Sequence, residues 1–180
     1  ILLTTVLFAQ TPFCGMHTHD LQEVKRQMFE NRETMKDYAF DRGSTTHVAV
    51  RFFLVADTDG SGRGTERSCL VALCNLNNAF EDMDIHFYLK EFKYIENAHI
   101  FSDPQSFAGR TAIGNEMIYD AMNIFVVDEI PDPTSNGVVL AYYQPPAGPG
   151  GNDWVVSTKS NLADLRVLTH EIGHFFSLPH

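Results

Sequence analysis

The 180-residue sequence has few basic residues, no long apolar run and only three cysteines, and each shortage narrows what the protein can be. Its 13 Lys and Arg residues are outnumbered by 23 Asp and Glu residues, which gives a formal net charge of −10. A surface of that sign repels phosphate, so we predict no nucleic-acid partner. The longest uncharged apolar stretch, 1–9, is far shorter than the roughly 20 residues of a membrane-spanning helix. We therefore predict no membrane span.

The remaining composition is that of a globular chain, with 44% apolar and 20% charged residues. Its length fits one domain with a sizeable core. The cysteines, Cys14, Cys69 and Cys74, are odd in number. Because Cys69 and Cys74 lie about 140° apart around a predicted helix, they cannot bridge each other. An odd thiol in an exported protein indicates a partner outside this sequence or a metal ion.

The N-terminal residues 1–10 are typical of the apolar region of a secretory signal peptide, with the small residue Ala9 near its end. No initiator Met precedes them, so we expect a signal-peptide remnant and a secreted, extracellular protein; a buried first strand is the alternative. Residues 20–40 carry apolar side chains at three- and four-residue spacings, which predicts a helix with one narrow docking face. We expect 11–44 to be a partly helical leader or prosegment that ends near Gly43.

The rest of the sequence predicts alternating strands and helices. Runs of apolar, β-branched or alternating residues predict strands at 47–56, 84–92, 123–127, 138–143 and 154–157. A stripe of apolar residues predicts a helix at 66–80, and a last helix follows the fifth strand. We expect Asn161 to cap that helix, with Asp164 completing a capping-box-like start. This order predicts a twisted sheet with helices packed against it.

The last helix has an apolar face and a histidine face. The predicted buried face consists of Leu162, Leu165, Leu168, Thr169, Ile172, Phe175 and Phe176. His170 and His174 project from the other side and differ in direction by about 40°, so both can reach one cation. Catalytic zinc takes three protein ligands and keeps a fourth position open. His180 can be the third ligand if the helix stops after Phe176 and the chain turns back, which Pro179 favours.

Glu171 stands between the two helical histidines and is the predicted catalytic residue. A carboxylate beside zinc can take a proton from the water that the metal activates and later pass it to the leaving amine. The alternative is that this spacing of three histidines and a glutamate arose by chance on a solvated face.

The pattern His-Glu-x-x-His-x5-His from His170 to His180 resembles the zinc signature of metzincin metallopeptidases. With the upstream runs at 48–52 and 141–143, the chain is most similar to the secreted, bacterial-like pappalysin-type family. The resemblance implies an α+β fold: a metzincin-like zincin upper subdomain with a twisted mixed sheet of about five strands and two main helices. It also implies that 45–180 is the N-terminal part of a catalytic domain whose C-terminal subdomain is missing.

The resemblance further assigns roles to individual residues. It implies that His170, His174 and His180 bind one Zn²⁺ ion and that Glu171 is the general base. The segment from Val138 to Tyr143 would be the antiparallel edge strand that binds an extended protein or peptide substrate by strand addition.

Two features depart from the family pattern. Ser177 stands where metzincins usually carry the glycine of a left-handed turn, and a non-glycine residue costs about 1–2 kcal/mol there. The sequence also ends at the third histidine, without the Met-containing turn and the specificity pocket. We therefore expect a fragment of a longer enzyme, inactive as given.

Two further metal-related interpretations stay open. The thiolate of Cys14 can fill the fourth zinc position and keep the enzyme latent, or the thiol can form a disulfide outside this sequence, carry a lipid or be idle. The acidic residues near the cleft can ligate Ca²⁺ or simply line solvated loops; they are Asp128, Glu129, Asp132 and Asp153.

The sequence thus predicts a zinc metalloendopeptidase. The alternatives are a secreted zinc-binding adhesion or binding module without turnover and a zinc hydrolase of non-protein amides or esters.

Overall fold

A computed structural model describes residues 14–16, 18–35, 45–132, 137–147 and 151–180. The helices are α1 (Thr18–Met35), α2 (Glu66–Phe80), α3 (Ala98–Ser102), α4 (Phe107–Glu116) and α5 (Leu165–Phe175). The strands are β1 (Thr46–Ala56), β2 (Ile85–Glu96), β3 (Met122–Val127), β4 (Ala141–Gln144) and β5 (Trp154–Thr158). The predicted signal-peptide remnant at 1–10 and the predicted end of the leader near Gly43 lie outside the described residues. Within the described parts of the chain, no helix is long and apolar enough to cross a membrane.

The five strands form one mixed sheet in the order β2-β1-β3-β5-β4. The first four of these run parallel to their neighbours, and β4 pairs antiparallel with β5 at the edge. The predicted mixed sheet of about five strands is confirmed. Strand β1 is buried on both faces from Val50 to Ala56, as its continuous apolar run predicts.

Helices cover both faces of the sheet. Alternate residues of β1 point in opposite directions, so Phe52 and Phe53 join different apolar clusters. The cluster around Phe52 includes residues of α1, α2 and α5, whereas the cluster around Phe53 includes residues of α3 and α4. The histidine-bearing helix α5 therefore lies on the same side of the sheet as α1 and α2.

The sequence predicted two main helices and missed α3 and α4. Helix α4 has no continuous apolar stripe to reveal it, because only Gly109 and Ile113 of its ten residues are buried. Its start depends on Ser106, whose side chain accepts a hydrogen bond from the backbone N–H of Gly109. Helix α2, by contrast, spans the predicted residues and carries Cys69 in the core and Cys74 on the surface; both are free thiols.

The predicted strand from Val138 to Tyr143 begins too early. Val138 forms an isolated bridge with Pro131, and the backbone N–H of Val139 donates to Ile130 at 2.8 Å. These residues therefore pair with the preceding loop instead of β5. Only Ala141–Gln144 form the edge strand β4.

The predicted start of the last helix is also wrong. Helix α5 begins at Leu165, and the side chain of Asp164 is the N-cap, accepting from the Arg166 N–H at 2.9 Å. The Asn161 amide donates to the Thr158 hydroxyl at 3.0 Å and does not cap the helix. In consequence Leu165 is half exposed, although we predicted it to be buried.

A buried arginine joins β1 to the residues before β3. Arg51 is 1% exposed, and its guanidinium donates to Glu91 at 2.5 Å, to Asp120 at 2.7 Å and to the Ile118 carbonyl at 3.3 Å. Hydrogen bonds from Lys90 and Arg51 lower the pKa of Asp120 to about 2. The ionised form of Asp120 is therefore favoured by folding.

We expect the substitution Asp120→Asn to reduce stability in a pH-dependent way. Because the pKa of Asp120 is lower in the folded state than in the unfolded state, its contribution is present above about pH 4 and is lost as the pH falls through about 2. The difference in thermal midpoint between the two proteins should shrink over that range, measured by circular dichroism. An exposed acid, Asp82→Asn, is the control. A difference in thermal midpoint between the native protein and Asp120→Asn that is equal at about pH 6 and about pH 2.5 would contradict the prediction.

Candidate metal centre

Helix α5 places two histidines one turn apart beside the edge strand. Its Leu168 and Ile172 side chains are buried in the core, which fixes the orientation of the helix. His170 is partly buried and His174 is 2% exposed, so the histidine face lies in a covered cleft.

The chain turns back immediately after α5. The Ser177 N–H donates to the His174 carbonyl at 2.8 Å, and the Leu178 N–H donates to the Gly173 carbonyl at 3.0 Å. This bonding pattern is a Schellman C-cap, which requires a left-handed residue. Ser177 adopts that conformation with φ of 63°, despite not being glycine. The turn brings the Nε2 atom of His180 to 3.0 Å from the Nε2 atom of His170.

Four possible ligand atoms converge at this point. The Nε2 atoms of His170 and His174 are 3.1 Å apart, and the Cys14 sulfur lies 3.6 Å from the Nε2 atom of His174. These three atoms and one from His180 lie within 4.8 Å of one another. Tetrahedral zinc with ordinary bond lengths separates nitrogen donors by about 3.3 Å and a nitrogen from a sulfur by about 3.5 Å. The types of donor and their spacing therefore fit a zinc ion.

The hydrogen bonds and burial of the imidazoles favour the form that binds metal. The Nδ1 atom of His174 lies 2.7 Å from the Leu178 carbonyl, which only accepts, so Nδ1 carries the proton and Nε2 keeps its lone pair. Burial, together with the neighbouring imidazoles of His174 and His180, lowers the pKa of His170 to about 4. Burial also lowers the pKa of His174. Both rings are therefore neutral near pH 7, as ligands must be.

The carboxyl group of Glu171 lies inside the same cleft. The residue is fully buried, and burial raises its pKa to about 8, against the opposing effects of the Cys14 thiol and the Tyr143 backbone N–H. The Cys14 thiol donates to Oε2 of Glu171 at 3.7 Å. Burial likewise raises the pKa of Cys14, to about 12, with the Glu171 charge adding to the effect. Glu171 therefore holds a proton readily at a point beside the converging imidazoles.

The segment that carries Cys14 lies along the free edge of β4. Cys14 forms a parallel bridge with Ala141, and the Gly15 N–H donates to the Ala141 carbonyl at 2.9 Å. On the other side, the Gln105 amide donates to the Gly15 carbonyl at 3.1 Å. A Cβ at Gly15 would overlap the Val139 side chain, so this close approach requires glycine. Sequence reasoning missed Gln105, because nothing in its local sequence marks it.

Helix α1 packs on the same side of the sheet as α5. Its Val24 side chain is completely buried in the core on that side. Near its start, Asp20 accepts a hydrogen bond from the Gln144 amide at 3.3 Å. Near its end, the Asn31 amide donates to the Ser177 hydroxyl at 3.2 Å. Helix α1 thus links the end of β4 with the turn after α5.

The four acidic residues considered as calcium ligands do not meet. The Asp128 carboxylate pairs with Lys159 at 2.6 Å, and Asp153 accepts a hydrogen bond from the Tyr143 hydroxyl at 3.2 Å. Across the described segments, the group formed by Cys14 and the three histidines is the one set of His, Cys, Asp and Glu side chains placed to share an ion. Calcium binding remains a prediction.

Comparison with known proteins places this geometry in context. No known protein-family profile matches the chain. An extracellular metalloprotease of Neurospora crassa is 26% identical over 187 aligned positions, which cover 94% of this chain. The chain spans 64% of the length of that fungal relative.

Among solved structures, metalloproteinase-II from Bacteroides fragilis is similar with a TM-score of 0.49 and 18% identity, covering 76% of this chain and 44% of its own. The fungal relative is the stronger of the two comparisons, because it aligns with almost the whole chain. The name of this relative agrees with the metallopeptidase resemblance of the histidine motif, and the pappalysin type remains a prediction. By sequence, the chain is similar to an extracellular metalloprotease.

Proposed function

We propose that the protein is a zinc-dependent endopeptidase of the metzincin, pappalysin-like type and that 45–180 belongs to its catalytic domain. The observation that carries this proposal is the meeting of the His170, His174 and His180 Nε2 atoms, at 3.0 and 3.1 Å, next to a buried carboxyl group. This donor set suits zinc, and the similarity to a fungal extracellular metalloprotease supports a peptide substrate.

The proposed reaction is hydrolysis without a covalent intermediate. Zinc, when bound, supplies a Lewis acid that polarises the scissile carbonyl and makes water more acidic. The Nε2 atoms of the three imidazoles would hold the ion, and the hydrogen bond from His174 Nδ1 to the Leu178 carbonyl keeps that ring in the required orientation. Glu171 takes a proton from the attacking water at Oε2 and passes it to the leaving amine.

The substrate binds along the edge strand β4. The Ala141 carbonyl already accepts a hydrogen bond from an extended segment, the leader around Gly15. A substrate chain can make the same kind of backbone bond by strand addition once that segment leaves. The edge strand that we predicted from Val138 to Tyr143 runs instead from Ala141 to Gln144.

The same contacts support a latent precursor. The Cys14 sulfur lies 3.6 Å from His174 Nε2, at the spacing of a fourth zinc ligand, and the leader covers the edge of β4. We propose that the leader 11–44 blocks both the metal and the substrate site until it is removed. The apolar residues 1–10 and the name of the fungal relative support secretion.

The substitution Glu171→Gln tests the proposed reaction. In the natural full-length polypeptide, after removal of the leader, we expect kcat/KM for quenched fluorescent peptides to fall by about 10²–10⁴-fold. The amide keeps the shape of the side chain but cannot accept the proton, so zinc content should be unchanged. Glu116→Gln, on the opposite face of the sheet, is the matched control.

Three results would contradict the proposal. Full activity in Glu171→Gln would exclude the general-base role. One tightly bound zinc ion without peptide hydrolysis in the native protein would favour a binding module. Hydrolysis of amide or ester compounds alone would favour a hydrolase with non-protein substrates.

The substitution Cys14→Ala tests latency. We expect it to raise the peptidase activity of the uncleaved full-length precursor, because the fourth metal position loses its thiolate. Cys74→Ala, which removes an exposed thiol on α2, should leave that activity unchanged. Unchanged precursor activity in Cys14→Ala, or after alkylation of Cys14, would show that the thiol does not enforce latency.

A further inference from the structure

The turn that carries the third histidine is built around an unfavourable residue. Ser177 has φ of 63°, in the left-handed region that glycine enters freely and other residues enter at a cost. The only other described non-glycine residue with positive φ is Asp84, which lies in a turn before β2 and far from the cleft in sequence. A strained residue persists only where its surroundings hold it.

A contact from the leader adds to the backbone bonds that form the turn at Ser177. The Asn31 amide of α1 donates to the Ser177 hydroxyl at 3.2 Å, across 146 positions of sequence. Ser177 is 5% exposed, so its hydroxyl has little access to water when this bond is made. The bond is made with Ser177 in the left-handed conformation, and it therefore adds to the stability of that conformation.

We propose that the leader helix α1 supports the geometry of the metal centre, although the leader also blocks that centre. Asn31 and Ser177 act as positioning residues for His180. This inference rests on the proposed zinc site. The left-handed turn brings His180 Nε2 to 3.0 Å from His170 Nε2, so a turn that relaxes moves the third ligand away. Loss of the leader then weakens the binding of zinc through the turn as well as through Cys14.

Two features of the chain allow an experiment to distinguish the positioning of His180 by Asn31 and Ser177 from docking of the leader alone. The hydrogen bond between Asp20 and Gln144 anchors the other end of α1 and does not touch the turn. A glycine at 177 would adopt the left-handed conformation without support, although it also lacks the hydroxyl. Ser177→Ala should therefore weaken zinc binding, whereas Ser177→Gly should not.

The experiment compares zinc dissociation constants by chelator competition, in the natural full-length polypeptide with Cys14→Ser as the common background. We expect Asn31→Ala and Ser177→Ala each to weaken zinc binding by about 3- to 10-fold. The double variant should be no weaker than either single one, because both remove the same bond. Ser177→Gly should bind zinc at least as tightly as the background protein.

Asp20→Ala, which removes the acceptor of the Gln144 hydrogen bond, is the control for docking, and the thermal midpoint of each metal-free variant checks that it folds. Equal weakening of zinc binding by Asp20→Ala and Asn31→Ala, or weakening by Ser177→Gly as large as by Ser177→Ala, would overturn the positioning role. So would unchanged zinc binding in Asn31→Ala. If the native protein holds no zinc, the metal centre itself is wrong, and the proposed function fails with this inference.

Discussion

The left-handed turn after α5 is the constraint on which the rest of the site depends. Two histidines spaced by four residues on one helix share a direction by geometry alone, but a third ligand must return to them from beyond the helix end. The Schellman bonds of Ser177 and Leu178 to the helix carbonyls make that return within three residues. Without this turn, His180 could not meet His170, and the cleft would hold a pair of imidazoles beside a buried acid.

The N-terminal segment that we propose to be a leader contacts both the substrate-binding strand and the metal site of the proposed enzyme. Its backbone at Gly15 occupies the free edge of β4, and its Cys14 sulfur approaches the imidazoles. Cys14 takes part in both contacts, because its backbone bridges to Ala141 and its thiol donates a hydrogen bond to Glu171. Burial explains the shifted pKa values of Glu171 and His170, because desolvation is the largest cause of each shift.

The sequence predicted those features that local pattern determines. Local spacing along the chain predicted strand β1 from its apolar run and helix α2 from its apolar stripe. The four-residue spacing of His170 and His174 likewise predicted that both face the same side of a helix. The features that it missed depend on contacts between distant segments. Helices α3 and α4 have little apolar periodicity. Asn161 has a suitable side chain for an N-cap, but Asp164 caps α5 in the structure. Gln105 donates a hydrogen bond to Gly15 from 90 positions away in the sequence.

The measurement that tests the central claim most directly is X-ray absorption spectroscopy at the zinc edge on the uncleaved full-length polypeptide. The account predicts one zinc ion per chain with three nitrogen neighbours at about 2.0–2.1 Å and one sulfur at about 2.3 Å. His180→Ala should lower the nitrogen count by one, whereas His99→Ala, at an exposed position of α3, should not change the spectrum. A six-coordinate oxygen shell, or no sulfur and fewer than three nitrogens in the native protein, would contradict the account.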